Sequence, residues 1–348
     1  MTATFKNNGF HPTLERDHGY IFIDSCMQAW PDADYECAHR HGVTAYAVTA
    51  MDPHADAEQA LKELMFWHLI ARSYPNLNVA TTTEDIRNAK TEGKAVFILA
   101  AQGGDFIGDQ LHRVEAFQRL GLRMMLLAYN TSNNLCDGLL DRTERGLTSF
   151  GQLVVDECNR VGILLDLTHT GKRSCLEIIE RSTYPCTYSH SNAAALVPNP
   201  RNVDDEQLRA CLARDGVIGL APWGPLTMKP GTTHWPTVDD FIDQIDHVCA
   251  LAGNTDQIGF GTDMSLGTYP EHHADPWGMA EFPDIATDYN KHVTADQRSP
   301  MRNLNGFQNY SEIVNMIERL LARGYSDDDV RGFLGENYLR LFKQVWGA

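Results

Sequence analysis

Two histidines sit where a metal would need them. His169 closes the segment Asp166-Leu167-Thr168-His169, and His190 lies in Ser189-His190-Ser191; each follows a short apolar run. The spacing places them at the ends of successive β-strands. Adjacent strands lie about 4.8 Å apart, so two imidazoles so placed can share one zinc at about 2.0–2.1 Å each. Asp263 ends a third apolar run, in Gly261-Thr262-Asp263. It can supply an oxygen ligand or act as a general base. Catalytic zinc takes three protein ligands and a water, whose pKa it lowers to about 7. A single histidine at a strand end is commonly a hydrogen-bonded structural residue. Two of them, with a carboxylate on the same rim, predict a metal site.

Other strand ends carry polar groups as well: Asp24-Ser25-Cys26-Met27-Gln28, Gln102-Gly103-Gly104 and Tyr129-Asn130. His39, His68 and His112 fall in helical or turn contexts and read as packing or surface residues. His54, His234, His272 and His273 fall in loops that can line the mouth of a site.

These residues need a scaffold that gathers strand ends on one rim. Eight short apolar or β-branched runs are found: Tyr20 to Asp24, Val43 to Thr49, Ala95 to Ala101, Arg123 to Tyr129, Gly162 to Leu167, Cys186 to Ser189, Val217 to Ala221 and Gln257 to Gly261. Near-continuous apolar strands are buried on both faces, as in parallel sheets. Amphipathic stretches alternate with them, including Asp56 to Ser73, Gly146 to Arg160, Lys172 to Arg181 and Val238 to Ala252. This alternation predicts a (β/α)8 TIM barrel, whose active sites lie at the carboxyl ends of the strands. The rival, an open doubly wound sheet, needs a glycine-rich phosphate fingerprint after the first strand, and YIFIDSCMQAW has none. The expected layout is one domain over residues 1–348, with the barrel over about 20–310 and helices over 311–348 packed on it. Ser326, followed by three aspartates, reads as the N-cap of the last helical stretch.

Composition removes several function classes. A net charge of −17 over 348 residues, with no basic run, excludes a phosphate-neutralising nucleic-acid binder. No apolar run approaches the roughly 18 residues of a membrane span. The first twenty residues hold no apolar signal core, so the expectation is a soluble cytoplasmic protein. The eight cysteines form no CxxC pair and read as reduced thiols.

Several segments together resemble the membrane (renal) dipeptidase family: GKAVFILAAQGG, LGLRMMLLAYN with the following NNLCDG, DLTH, YSHSNA, PRNVDD, GFGTD and GENYLRLF, in order from about Ile21 to Trp346. The resemblance implies a (β/α)8 metallohydrolase with a two-zinc site that cleaves dipeptides, some with a carboxyl-terminal D-residue. It implies His169 and His190 as ligands of one zinc, Arg201 as the clamp on the substrate carboxylate, and Asp263 as the residue beside the attacking water. A planar guanidinium suits bidentate carboxylate capture. The family commonly pairs, so a homodimer is a further expectation.

The departures fall on the other zinc. Where the family carries His-x-Asp after the first strand, this chain has Cys26 and Gln28. Gln102 replaces the bridging glutamate, and Tyr129 replaces a histidine. Two divalent cations about 3.5–4 Å apart need a bridging anion to offset their repulsion. One zinc per chain is therefore expected, held by His169 and His190 and completed by the Gln102 oxygen, Asp263 or the Cys26 thiolate. Tyr129 is either a donor to an oxyanion or a packed aromatic, and Asn130 joins it and Arg201 on the substrate side. The expected activity is metal-assisted hydrolysis of a dipeptide, an N-acyl amino acid or another small amide with a free carboxylate. Two alternatives stand beside it. One is a lyase, isomerase or other C–N hydrolase acting on a small amine or carboxylate metabolite; the other is a binding homologue without turnover.

Overall fold

The computed structural model describes residues 18–29, 33–266 and 303–347. His272 and His273, expected near the mouth, lie outside the described residues. Among the described residues the sheet has ten strands, eight of which close on themselves. They are β1 (Ile23–Ala29), β2 (Ala45–Thr49), β3 (Ala95–Ala101), β4 (Leu122–Leu126), β5 (Leu164–Asp166), β6 (Thr187–Tyr188), β7 (Val217–Leu220) and β8 (Ile258–Phe260). All neighbours are parallel, and closure runs through the pairing of Asp24 with Phe260. The chain is thus a TIM barrel.

The period-two alternation of strands sorts side chains into two layers. In β3, Val96, Ile98 and Ala100 face the interior core, whereas Ala95, Phe97, Leu99 and Ala101 face the surrounding helices. The end where the strands begin is closed by the carboxyl-terminal helix Asn337–Trp346, which contributes Tyr338, Leu339, Leu341 and Phe342 to the interior core. Tyr338 enters so far that a Cβ at Gly259 would overlap its ring. With that end plugged, the opposite rim is left for chemistry.

Local chemistry explains the helices. Thr82 and Thr237 start theirs with capping boxes to Asp85 and Asp240, and Ser326 does so with Asp329 as its spacing predicts. Each such cap is worth about 0.5–2 kcal/mol. Four features depart from the sequence expectation. A short strand, Leu77–Val79, pairs alongside β3, and Met264–Leu266 pairs with the end of β1. The helix Thr83–Glu92, whose mean polarity hid it, also fills that stretch. Most relevant to function, β1 begins three residues and ends five residues later than expected, and its register with β2 slips between Asp24 and Met27. Cys26 and Gln28 therefore lie within a bulged strand, a feature that re-aims side chains beside active sites.

Candidate active site

His169 Nε2 lies 3.0 Å from His190 Nε2, and both rings are buried. Each ring's other nitrogen is committed. His169 Nδ1 meets Asn130 Oδ1 at 2.7 Å. An amide oxygen only accepts, so Nδ1 carries the proton. His190 Nδ1 lies 2.7 Å from Ser189 Oγ. That hydroxyl donates to Asp166 Oδ2 in a very short hydrogen bond, so it accepts from the imidazole. Asp166 is fixed in turn by Thr168 Oγ1 at 2.8 Å and by the backbone N–H groups of Thr168 and Ser189. Both Nε2 atoms thus present lone pairs to each other across 3.0 Å, an arrangement that calls for a cation between them. Burial first, then the Arg201 charge, holds both imidazoles well below the usual histidine range, in the neutral form that a metal ligand needs.

The bulged β1 supplies the facing wall. Cys26 Sγ, a His190 ring nitrogen and an Asp263 carboxylate oxygen converge to within 4.8 Å of one another. Gln102 Nε2 donates to Cys26 Sγ at 3.1 Å, and Gln28 Nε2 donates to Asp263 Oδ1 at 3.0 Å. Asp24 anchors the wall from below. It accepts from Cys26 N at 3.1 Å, Thr262 N at 2.8 Å, Thr262 Oγ1 at 2.5 Å and Tyr310 OH at 2.7 Å. Burial still pushes its carboxyl up to about 6 against those bonds. Glycine is required at 261, where a Cβ would overlap the Ser189 carbonyl oxygen that lies against β8.

Left-handed backbone marks the same rim. Among the described residues four non-glycines adopt it, and three of them are here: Asn130 (φ 60°), His169 (φ 63°) and Asp263 (φ 51°). Each costs on the order of 1–3 kcal/mol, strain that persists where function over-determines the backbone.

Arg201 lies beneath His190 and is only 2% exposed. Its Nη2 donates to the His190 carbonyl at 3.3 Å, and its buried Nη1 has no hydrogen-bond partner. No carboxylate lies within ion-pair distance of it among the described residues. A buried cation with an unserved donor is costly unless an anion joins it.

The structure brings Cys26, His190 and Asp263 within 4.8 Å of one another, with His169 against His190, Gln102 against Cys26 and Arg201 against the His190 carbonyl. Two contacts differ from the expected ones. Asn130, expected on the substrate side, is the orienting partner of His169. Gln102, expected to offer its oxygen to the metal, turns its amide nitrogen to the Cys26 sulfur instead. Tyr129 stacks on His169 with ring centroids 4.0 Å apart and planes at 26°. His54 stands edge-on to Tyr129 at 6.3 Å and binds Asp105 at 3.1 Å, so it borders the site. His234 sits 3.7 Å from Asp240 instead. Sequence reasoning missed the Asp166–Ser189 chain, although both residues stand in the quoted DLTH and YSHSNA segments.

The donor set fits one metal. Two neutral imidazoles present their lone pairs to each other, and a sulfur and a carboxylate lie beside His190. Cys26, Gln28, Gln102 and Tyr129, expected beside the other zinc, offer a second cation no carboxylate of their own, and both amides donate, Gln102 to Cys26 Sγ and Gln28 to Asp263 Oδ1.

Comparisons with known proteins bear on the family and the fold. The family model described as membrane dipeptidase (peptidase family M19) matches residues 33–283. The chain is similar to dipeptidase tcpJ of Claviceps purpurea, 26% identical over 84% of this chain and 61% of that protein. It is also similar to human dipeptidase 3, 26% identical over 82% of this chain and 52% of that one. The chain therefore spans little more than half the length of these relatives. Among solved structures, an amidohydrolase from Pseudomonas aeruginosa superposes with a TM-score of 0.83 at 30% identity, covering 94% of this chain and 97% of its own. A Rhodobacter sphaeroides metallopeptidase, liganded with a phosphinate mimic of L-Ala-D-Ala, shares the fold at a TM-score of 0.74 and 19% identity, covering 94% of this chain and 99% of its own.

Proposed function

Because the chain belongs to the membrane dipeptidase (M19 peptidase) family, we propose that it is a metal-dependent hydrolase of a dipeptide or a related small amide with a free carboxylate, using one zinc held at His169 and His190. The convergence of the two Nε2 lone pairs across 3.0 Å carries this reading.

When bound there, zinc supplies Lewis acidity toward the amide carbonyl and toward water. The chain's own residues do the rest. Arg201, with its unserved Nη1, binds the substrate carboxylate and fixes the register of the scissile bond. Asp263, steadied by Gln28 Nε2, takes a proton from the attacking water and passes it to the leaving amine. Tyr129, stacked on His169, is the donor assigned to the carbonyl oxygen as charge develops on it.

A second reading has its own observation. Gln28 and Gln102 make the wall facing the histidines neutral and rich in N–H donors, which also suits another C–N hydrolysis or a lyase reaction on a small amine–carboxylate metabolite.

One experiment separates these readings. Purified protein is analysed for metal and offered dipeptides with L- or D-residues at the carboxyl end, N-acyl amino acids and their amidated counterparts. The expected result is one metal per chain, turnover of a carboxylate-bearing amide, and its loss in His169→Ala. Full turnover by metal-free protein overturns the proposal; turnover confined to non-amide metabolites selects the second reading.

A further inference from the structure

Cys26 differs from every other buried cysteine in the chain. Cys136, Cys158, Cys175, Cys186 and Cys211 all belong to the apolar core between sheet and helices. The thiols of Cys175 and Cys211 spend their donors on backbone carbonyls. Cys26 is as buried, at 3% exposure, yet it belongs to none of the apolar clusters. Its neighbours are polar: the Gln102 amide, the Asp263 carboxylate 4.0 Å away and a His190 nitrogen within 4.8 Å. A small apolar filler has no reason to sit there.

We infer that Cys26 is a thiolate ligand of the metal that His190 holds, making this a single mixed sulfur–nitrogen site that selects thiophilic cations. The inference rests on the proposed metal centre and adds its third ligand and its selectivity. In a tetrahedral zinc site with Zn–S near 2.3 Å and Zn–N near 2.0–2.1 Å, sulfur and nitrogen stand about 3.5 Å apart. The observed convergence, within 4.8 Å, needs a shift of about 1.3 Å at most to reach that. Cys26 lies in the bulged stretch of β1, between Asp24 and Met27. Gln102 Nε2, donating to that sulfur at 3.1 Å, is the outer partner that steadies a thiolate. As the S–metal bond forms, the thiol proton leaves to solvent. A thiolate favours zinc or cobalt over magnesium and manganese, which take oxygen donors.

Cobalt(II) provides the test, because its spectrum reports ligands without turnover. Apo-protein titrated with Co(II) is expected to show visible d–d bands of a four-coordinate site and a thiolate-to-cobalt charge-transfer band in the near ultraviolet, saturating at one equivalent. In Cys26→Ser the charge-transfer band disappears while the d–d bands remain. X-ray absorption of the zinc-loaded wild type needs no variant and is expected to show one sulfur at about 2.3 Å. Visible bands without the charge-transfer band, or a band that survives in Cys26→Ser, overturn the thiolate and leave the histidine-held metal standing. No cobalt spectrum at all overturns both.

Discussion

Asn130 accepts a 2.7 Å hydrogen bond from His169 Nδ1 while both residues hold left-handed backbone conformations. One side chain therefore fixes both the tautomer and the direction of a proposed ligand, and Asn130 N also donates to the His169 carbonyl at 3.2 Å. Outer partners of metal-bound histidines typically contribute 10–100-fold in metal affinity. Asn130→Gly keeps the backbone conformation and deletes the amide, so zinc affinity measured by chelator competition is expected to fall by about that 10–100-fold with little change in melting temperature. Asn130→Ala loses the same affinity and adds roughly 1–2 kcal/mol of left-handed strain. Equal zinc affinity in wild type and Asn130→Gly would remove the orienting role.

Arg201 is a buried cation waiting for an anion. Arg201→Lys keeps the charge but loses the planar fork, and truncating one side of a buried charge pair costs about 2–5 kcal/mol. Steady-state kinetics of Arg201→Lys are expected to show that loss in kcat/KM for a free-carboxylate substrate. An amidated substrate, already poor, is expected to change little. A parallel drop for both substrates would move Arg201 from carboxylate capture to support of the His190 backbone.

His54 gives the rim a pH dependence. Its hydrogen bond to Asp105 raises its pKa above the ordinary 6.5, burial opposes this, and the Asp105 and Asp52 charges add to the rise. A raised folded-state pKa means that the pair's stabilisation is fully present below the ordinary histidine value and is lost as pH rises through the folded value. NMR titration should place His54 above 6.5 in wild type and nearer it in Asp105→Asn. The melting-temperature gap between the two proteins should close as the pH is raised. A gap that widens with pH contradicts the assigned partner.

The rim was legible in the sequence because parallel strands of a barrel are near-continuous apolar runs, and whatever polar residue follows such a run is there for a reason other than burial. His169, His190 and Asp263 stood out on that ground. Cys26 and Gln28 were found as residue types but misplaced beyond β1, since a bulge adds one residue to a strand without leaving a compositional mark. The roles of Asn130 and Ser189 were not legible. Both depend on which nitrogen of a histidine is already bonded, a fact of side-chain geometry across strands that linear spacing does not carry. Gln102 carries both an acceptor and a donor, and spacing does not say which one meets the Cys26 sulfur; here the donor does.

The neutral wall makes a prediction about metal count. If the neutral Gln28 and Gln102, with Cys26 spent on the metal at His190, are what leaves no place for a second cation, then Cys26→His, Gln28→Asp and Gln102→Glu together should raise metal content from one to two per chain by elemental analysis. The cost falls on the metal-free form. Two added carboxylates would join Asp24, Asp166 and Asp263 in a buried cluster, and each uncompensated buried charge destabilises by about 3–5 kcal/mol before protonation relieves it. The triple variant's melting temperature should therefore drop below wild type without metal and recover when zinc is added, whereas wild type should respond less. Gln102→Glu alone should not suffice, because one bridging carboxylate without terminal ligands leaves the second cation mostly hydrated. A triple variant that still binds one metal would mean that the backbone of the bulged β1, and not its side-chain charges, sets the stoichiometry.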